Sequence, residues 1–236
     1  MRQLSKSARL QVMSIAEAPI RVGIVEDEGL LRSMLTDLVA AHPSMEVVGA
    51  AAGAAEARTM LAPGSIDIVL MDVALGDGNG VALGVAMQRA NPDLVVMLLS
   101  SHDVMDLVLS IRSNVPKPWS YLSKRSSVTQ DILFRAIQAA ASGEVILDPE
   151  LTERSRPREG ADASKLSNAQ LQVLRLVAQG FSNATAAELL GLSRRSVENH
   201  LQAIYRTFGI SSQDASPRVA AVLHFLQQTS RAQSNQ

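Results

Sequence analysis

Ile66-Asp67-Ile68-Val69-Leu70-Met71-Asp72 is apolar almost without a break and then stops on a carboxylate. A strand wetted on one face alternates polar and apolar residues, whereas one covered by helices on both faces stays apolar. The stretch therefore reads as a buried parallel strand that delivers Asp72 to the end of a sheet. Outward from it the pattern recurs. IRVGIV from Ile20 and MEVVGAA from Met45 precede it, and VVMLL from Val95 and WSYLS from Trp119 follow. Helix-like stretches separate these runs near Leu30–Ala41, Ala54–Leu61, Val81–Ala90, Val104–Arg112 and Thr129–Ala141. Five βα units predict a three-layer α/β sandwich over residues 20–143.

Composition narrows the function classes. The 236 residues are 47% hydrophobic, enough for two cores. No apolar run is long enough to span a membrane and the N-terminal stretch lacks a signal-peptide block, so the chain reads as cytoplasmic. With no cysteine, disulfides, thiolate metal sites and thiol catalysis are excluded, and four scattered histidines argue against a histidine-built metal site. Chemistry is left to oxygen ligands and lysine. Residues 1–19 carry no strand signal and read as a flexible extension, or as the result of a start codon placed upstream of Met13.

After Gly143 the pattern changes. Residues 144–163 are read as a linker, exposed where Thr152–Lys165 is dense in Arg, Glu, Ser, Gly and Pro. Residues 164–230 hold only helix patterns, at Ala169–Gln179, Ala184–Leu190, Arg194–Thr207 and Pro217–Gln228, and 231–236 is a tail. Ser167 with Gln170 fits a capping box and Ser193 can cap the third helix. Charge divides along the same line: nine basic and sixteen acidic residues lie between Ile20 and Glu150, against seven and three from Ser164 onward. An acidic front joined to a basic back suits a module that meets nucleic acid.

In an open parallel sheet, ligands bind in the crevice beyond the carboxyl ends of the strands. The first strand ends in Glu26-Asp27-Glu28, the third in Asp72, the fourth in Ser100 and the fifth in Ser123-Lys124. A single strand-end aspartate is more often a cap or turn former. Four strands each ending in a polar group that suits one chemistry is a different matter. Three carboxylates make a hard oxygen site for Mg2+, Lys124 can pair with a carboxylate or phosphoryl oxygen, and Ser100 can bond another. The set is suited to phosphoryl transfer to a carboxylate.

On these residues, Ile20 to Gly143 resembles a response-regulator receiver domain with the flavodoxin-like (βα)5 fold. The resemblance implies that Glu26 and Asp27 hold Mg2+ with help from the Ala74 carbonyl, and that Asp72 accepts the phosphoryl group from a sensor histidine kinase. It implies further that Ser100 and Tyr121 turn inward on phosphorylation and that Lys124 pairs with the acyl phosphate. Gly80 matches the glycine closing the loop after the phosphoacceptor. Two departures stand out. Leu75-Gly76 replaces the usual Met-Pro pair, so the loop Gly76-Asp77-Gly78-Asn79-Gly80 is expected to be more mobile. Val115-Pro116-Lys117-Pro118-Trp119 is longer than usual ahead of the fifth strand.

LSNAQLQVLRLVAQGFSNATAAELLGLSRRSVENHLQAIYRTFGI, from Leu166, resembles the LuxR-type helix-turn-helix of NarL/FixJ-class regulators, a second, all-α domain. Gly191-Leu192-Ser193 makes the turn: Gly191 ends one helix left-handed, Leu192 packs inward and Ser193 caps the next. The resemblance puts Arg194, Arg195 and Arg206 on DNA phosphates and Glu198, Asn199 and Gln202 toward bases. Val219, Val222, Leu223 and Leu226 form an apolar face on the last helix, for core packing, for a homodimer in the active state, or for both. Two rival readings stand beside this one. An aspartate-nucleophile phosphohydrolase would want an acid where Ala74 stands, and a regulator with a phosphorylation-independent receiver, used for dimerisation or ligand binding, would tolerate the altered loop.

Overall fold

The computed structural model describes residues 18–211 and 216–230. The remaining residues, including Met13, nearly all of the expected extension and the 231–236 tail, lie outside that description. Five parallel strands form one sheet in the order β2-β1-β3-β4-β5: β1 (Ile20–Val25), β2 (Met45–Ala51), β3 (Ile68–Asp72), β4 (Val95–Ser100) and β5 (Ser120–Ser123). The strand runs predicted a three-layer α/β sandwich, and the order is that of the flavodoxin-like (βα)5 fold implied by the receiver resemblance.

Side-chain alternation explains the unbroken apolar run of β3. Ile68 and Leu70 pack with Leu31, Leu35, Leu133 and Ile137 of α1 (Gly29–Ala40) and α5 (Gln130–Ala141). Val69 and Met71 point the other way, toward Ala54, Ala57, Leu83 and Val108 of α2 (Ala54–Met60), α3 (Gly80–Ala90) and α4 (Met105–Ile111). Neither face is left to water, so neither can carry polar residues. The proline-rich approach to β5 is anchored by Trp119, which is 1% exposed and donates from Nε1 to Gln88 Oε1 at 2.9 Å. Gly84 makes room for it, since a Cβ there would lie 2.8 Å from the indole ring.

The second domain is α7 (Asn168–Ala178), α8 (Asn183–Leu190), α9 (Arg194–Thr207) and α10 (Pro217–Gln228), numbered after the connector helix α6 (Pro149–Arg154). The Ser167/Gln170 capping box forms, and Ser182 and Ser193 cap α8 and α9. Gly191 ends α8 at φ +65°, as the turn reading required, but Leu192 stays 36% exposed rather than packing inward.

Most of residues 153–165 are exposed, as the composition of that stretch predicts, but the first part of the connector is packed. Val145, Ile146 and Leu147 are at most 2% exposed, and Thr152, Ser155 and Ala163 are also buried. The main chain supplies the reason. Two of the N–H groups of edge strand β5 bond outside the sheet, Tyr121 to the Ile146 carbonyl (2.8 Å) and Ser123 to Asp148 Oδ2 (2.9 Å). The Leu147 N–H bonds the Ala178 carbonyl at the end of α7 (2.8 Å). Residues 145–148 thus lie between the two domains as shared core, and Asp148 then caps α6 with Pro149 in its first turn. Arg135 stacks on the Phe181 ring, 3.8 Å from its centroid, and Arg218 pairs with Glu144 at 3.0 Å. Val115, Pro116 and Pro118 face Val219, Ala220 and Leu223 of α10 across a cavity of about 440 Å³.

Candidate functional site

β1 and β3 are neighbours, so the residues that follow them are forced together. Glu26 (0% exposed), the exposed Asp27 and Asp72 (2% exposed) each place a carboxylate oxygen within 4.8 Å of the others. Lys124, entering from the end of β5, sets its Nζ 2.7 Å from Glu26 Oε1 and 2.9 Å from Asp72 Oδ2. Asp72 Oδ1 accepts the Ala74 N–H at 3.2 Å. Glu26 Oε1 also accepts the Glu28 N–H, but its Oε2 is buried without a partner.

Burial pushes the Glu26 carboxyl above its ordinary pKa, and the hydrogen bond from Lys124 offsets only part of this. Burial alone would lower the Lys124 ammonium, yet its hydrogen bonds to Glu26 and Asp72 outweigh that and hold it above its usual range. An orphaned, desolvated carboxylate oxygen beside two further carboxylates is a site lacking positive charge, which a hard divalent cation would supply. The donor set fits such an ion.

Ser100 and Tyr121 sit at the ends of β4 and within β5, both nearly buried. They share one neighbour: the His102 N–H donates to Ser100 Oγ (3.1 Å) and the His102 carbonyl accepts from the Tyr121 hydroxyl (3.2 Å). Tyr121 is therefore already turned inward. The glycine-rich loop is not the loose segment expected. Ala74–Leu75 and Gly78–Asn79 pair as a small antiparallel ladder, and Asp77 accepts the Ala54 and Ala55 N–H groups at 2.7 and 2.9 Å. Those bonds, to the first turn of α2, hold its carboxyl below the ordinary range. Asn79 then caps α3.

In the helical domain, Val197, Leu201 and Ile204 bury one face of α9. Arg194, Arg195, Glu198, Asn199, Gln202 and Arg206 are all exposed on the rest. Arg194 and Glu198 bond at 3.1 Å, an exposed pair of little energetic weight.

A family model described as "Response regulator receiver domain" matches residues 22–138, and one described as "Bacterial regulatory proteins, luxR family" matches 164–220. The nitrate/nitrite response regulator protein NarP of Escherichia coli (strain K12) is 30% identical over 215 residues, covering 89% of this chain and 96% of its own. The chain is a LuxR-type response regulator. The DNA-binding transcriptional activator DevR/DosR of Mycobacterium tuberculosis (strain ATCC 25618 / H37Rv) is 26% identical over 81% of this chain and 89% of its own. A solved LuxR-family response regulator from Aurantimonas sp. SI85-9A1 overlays with a TM-score of 0.50 at 23% identity, over 58% of this chain and 94% of its own, a likeness of fold.

The regulator is a DNA-binding transcriptional protein and not an enzyme, so the phosphohydrolase rival is set aside. Among the described residues, no helix is long and apolar enough to cross a membrane. Several groups that shape the regulator's site gave no signal in the sequence. Arg32 NH1 donates to the Glu26 and Asp27 carbonyls (2.7 and 3.3 Å) and so clamps the acidic turn from α1. His102 and Asp77 act through backbone partners that no spacing rule pairs with them. The apolar face of α10 serves the chain's own core, with Val222, Leu223 and Leu226 at most 6% exposed.

Proposed function

We propose that a sensor histidine kinase phosphorylates the regulator on Asp72, and that the phosphorylated form binds promoter DNA in the cytoplasm as a homodimer. The observation that supports this most directly is Lys124 Nζ held between Glu26 and Asp72 while Glu26 Oε2 has no partner. In this reading Glu26, Asp27 and Asp72, with the Ala74 carbonyl, hold Mg2+, which when bound neutralises charge on the incoming phosphoryl oxygens. An Asp72 oxygen attacks phosphorus, the P–N bond to the kinase histidine breaks, and the nitrogen keeps that electron pair. Lys124 stays paired as the carboxylate becomes an acyl phosphate. The Ser100 hydroxyl turns from the His102 N–H to donate to a phosphoryl oxygen, and Tyr121, bonded to the same residue, responds.

Labelling with acetyl phosphate tests this. Stable incorporation in the wild type and none in Asp72→Asn is the expected result, and equal labelling of the two overturns the assignment. Likeness to a relative described as a DNA-binding transcriptional activator supports the second half. We assign Arg194, Arg195 and Arg206 to phosphates and Glu198, Asn199 and Gln202 to base edges in the major groove. Arg195→Ala is expected to weaken binding to all sequences alike and to reduce the slope of log K against log salt by about 1. An unchanged slope in a salt titration would remove Arg195 from the interface.

A further inference from the structure

One connector side chain bonds both the strand end that delivers Lys124 to the acidic site and the helix that leads to the DNA-binding domain. Asp148 is 2% exposed, and both carboxylate oxygens are committed. Oδ2 accepts the N–H of Ser123, the residue before Lys124, and Oδ1 accepts the N–H of Glu150 in the first turn of α6, each at 2.9 Å. A single group thus fixes where β5 delivers Lys124 and where α6 begins. Bonds from α7 and the residue after it hold the far end of α6: Gln179 Nε2 donates to Thr152 Oγ1 (2.8 Å), and Arg175 NH2 to the Ser155 carbonyl (3.0 Å).

The space beside this joint matters as much as the bonds. A cavity of about 200 Å³ separates α6 from the loop after β4, lined by Ser101, His102, Tyr121 and Asp148 among others. His102 holds both Ser100 and Tyr121. Packed cores shift between discrete arrangements and do not deform smoothly, so movement at these residues needs such a space to enter. With six residues, α6 is too short to be stable by itself and depends on its cap and its neighbours. Loss of the cap would loosen the start of α6 against β5, although Ile146 remains bonded to Tyr121.

We propose that Asp148 is a positioning residue that couples the acidic site to the DNA-binding domain, by holding the Lys124 end of β5 and the start of α6 in one fixed relation. This rests on the phosphorylation reading above. Losing the carboxylate leaves two N–H groups unpaired and lets either end move without the other. The site can then still be phosphorylated, but its state no longer reaches α7 in full.

The test uses the full-length regulator and duplex DNA from the region upstream of its own gene. Affinity is measured with and without beryllofluoride and Mg2+, alongside acetyl phosphate labelling. For the wild type, the activated-to-resting affinity ratio is expected to be on the order of 5- to 150-fold, as for coupled sites in general. Asp148→Ala is expected to bring that ratio close to one while Asp72 still takes the label. Thr152→Val, which removes only the hydroxyl met by Gln179, is expected to lower it as well. A wild-type-like ratio in Asp148→Ala overturns the proposal. Should that variant fail to fold, an unchanged ratio in Thr152→Val does so. A ratio of one in the wild type overturns the phosphorylation reading itself, and is distinguishable because it precedes any substitution.

Discussion

Lys124→Ala is expected to lower the regulator's stability by about 3 kcal/mol in chelator-treated buffer, the lower end of the range for breaking a buried ion pair. The lysine side chain is 17% exposed, but its partners Glu26 and Asp72 are 0% and 3% exposed, so removing it leaves two desolvated carboxylates facing each other. Burial already raises Glu26, and without the ammonium it would rise further and take up a proton. The sign with pH follows from the raised Lys124. Its contribution is complete at neutral pH and is lost only as pH climbs through the folded-state value. Urea unfolding with chelator and then with excess Mg2+ checks this. The cation should restore part of the loss by replacing the missing charge, as any native-state ligand does. A loss below about 1 kcal/mol, the scale of an exposed pair, would mean that the lysine is not neutralising the cluster.

Gly80→Ala should disable the site through geometry alone. A Cβ at Gly80 would lie 1.8 Å from the carbonyl oxygen of Asp72 and 3.1 Å from Met71 Cγ. The first is a backbone atom, so no rotamer change relieves it, and the phosphoacceptor peptide itself must shift. We expect a stability cost of about 3 kcal/mol, the upper end of the usual range for overpacking. Acetyl phosphate labelling should fall by about tenfold or more, because displacement of reacting groups by a fraction of an ångström is costly. Gly76→Ala is the control, since its nearest neighbour would be Asp27 Oδ2 at an ordinary 3.5 Å. Wild-type labelling of Gly80→Ala would show that the loop absorbs the methyl elsewhere.

What the sequence made legible was periodic or repeated. Apolar runs such as Ile68–Met71 are explained by burial on two faces, and with that reading came the crevice beyond the strand ends and the polar residues at its rim. Capping residues were equally readable, because Ser167, Ser193 and Gly191 act on N–H and C=O groups within a turn of themselves. Contacts made at a distance were not. The glycines of residues 76–80 suggested mobility, but Asp77 reaches back 23 residues to Ala54, a pairing with no local signature. The connector was harder still. Asp148-Pro149-Glu150 carries a recognisable helix start, yet a six-residue helix shows too little periodicity to be read. The burial of Val145–Leu147 depends on partners in two domains, Tyr121 and Ala178. The anchor of the proline-rich approach to β5, Trp119 on Gln88 31 residues away, had no local signature either.

The bonding of residues 146–148 along β5 also bears on where the chain can be divided. Strands at the rim of a sheet with unpaired main-chain groups recruit other chains and promote aggregation. Here the Ile146 carbonyl and the Asp148 carboxylate occupy those groups on Tyr121 and Ser123. An isolated receiver ending at Gly143 would lack that cover, leave the Tyr121 and Ser123 N–H groups unpaired at its rim, and tend to self-associate through its open flank. The natural point of division lies beyond Asp148, so residues 144–148 belong, in solubility terms, to the receiver.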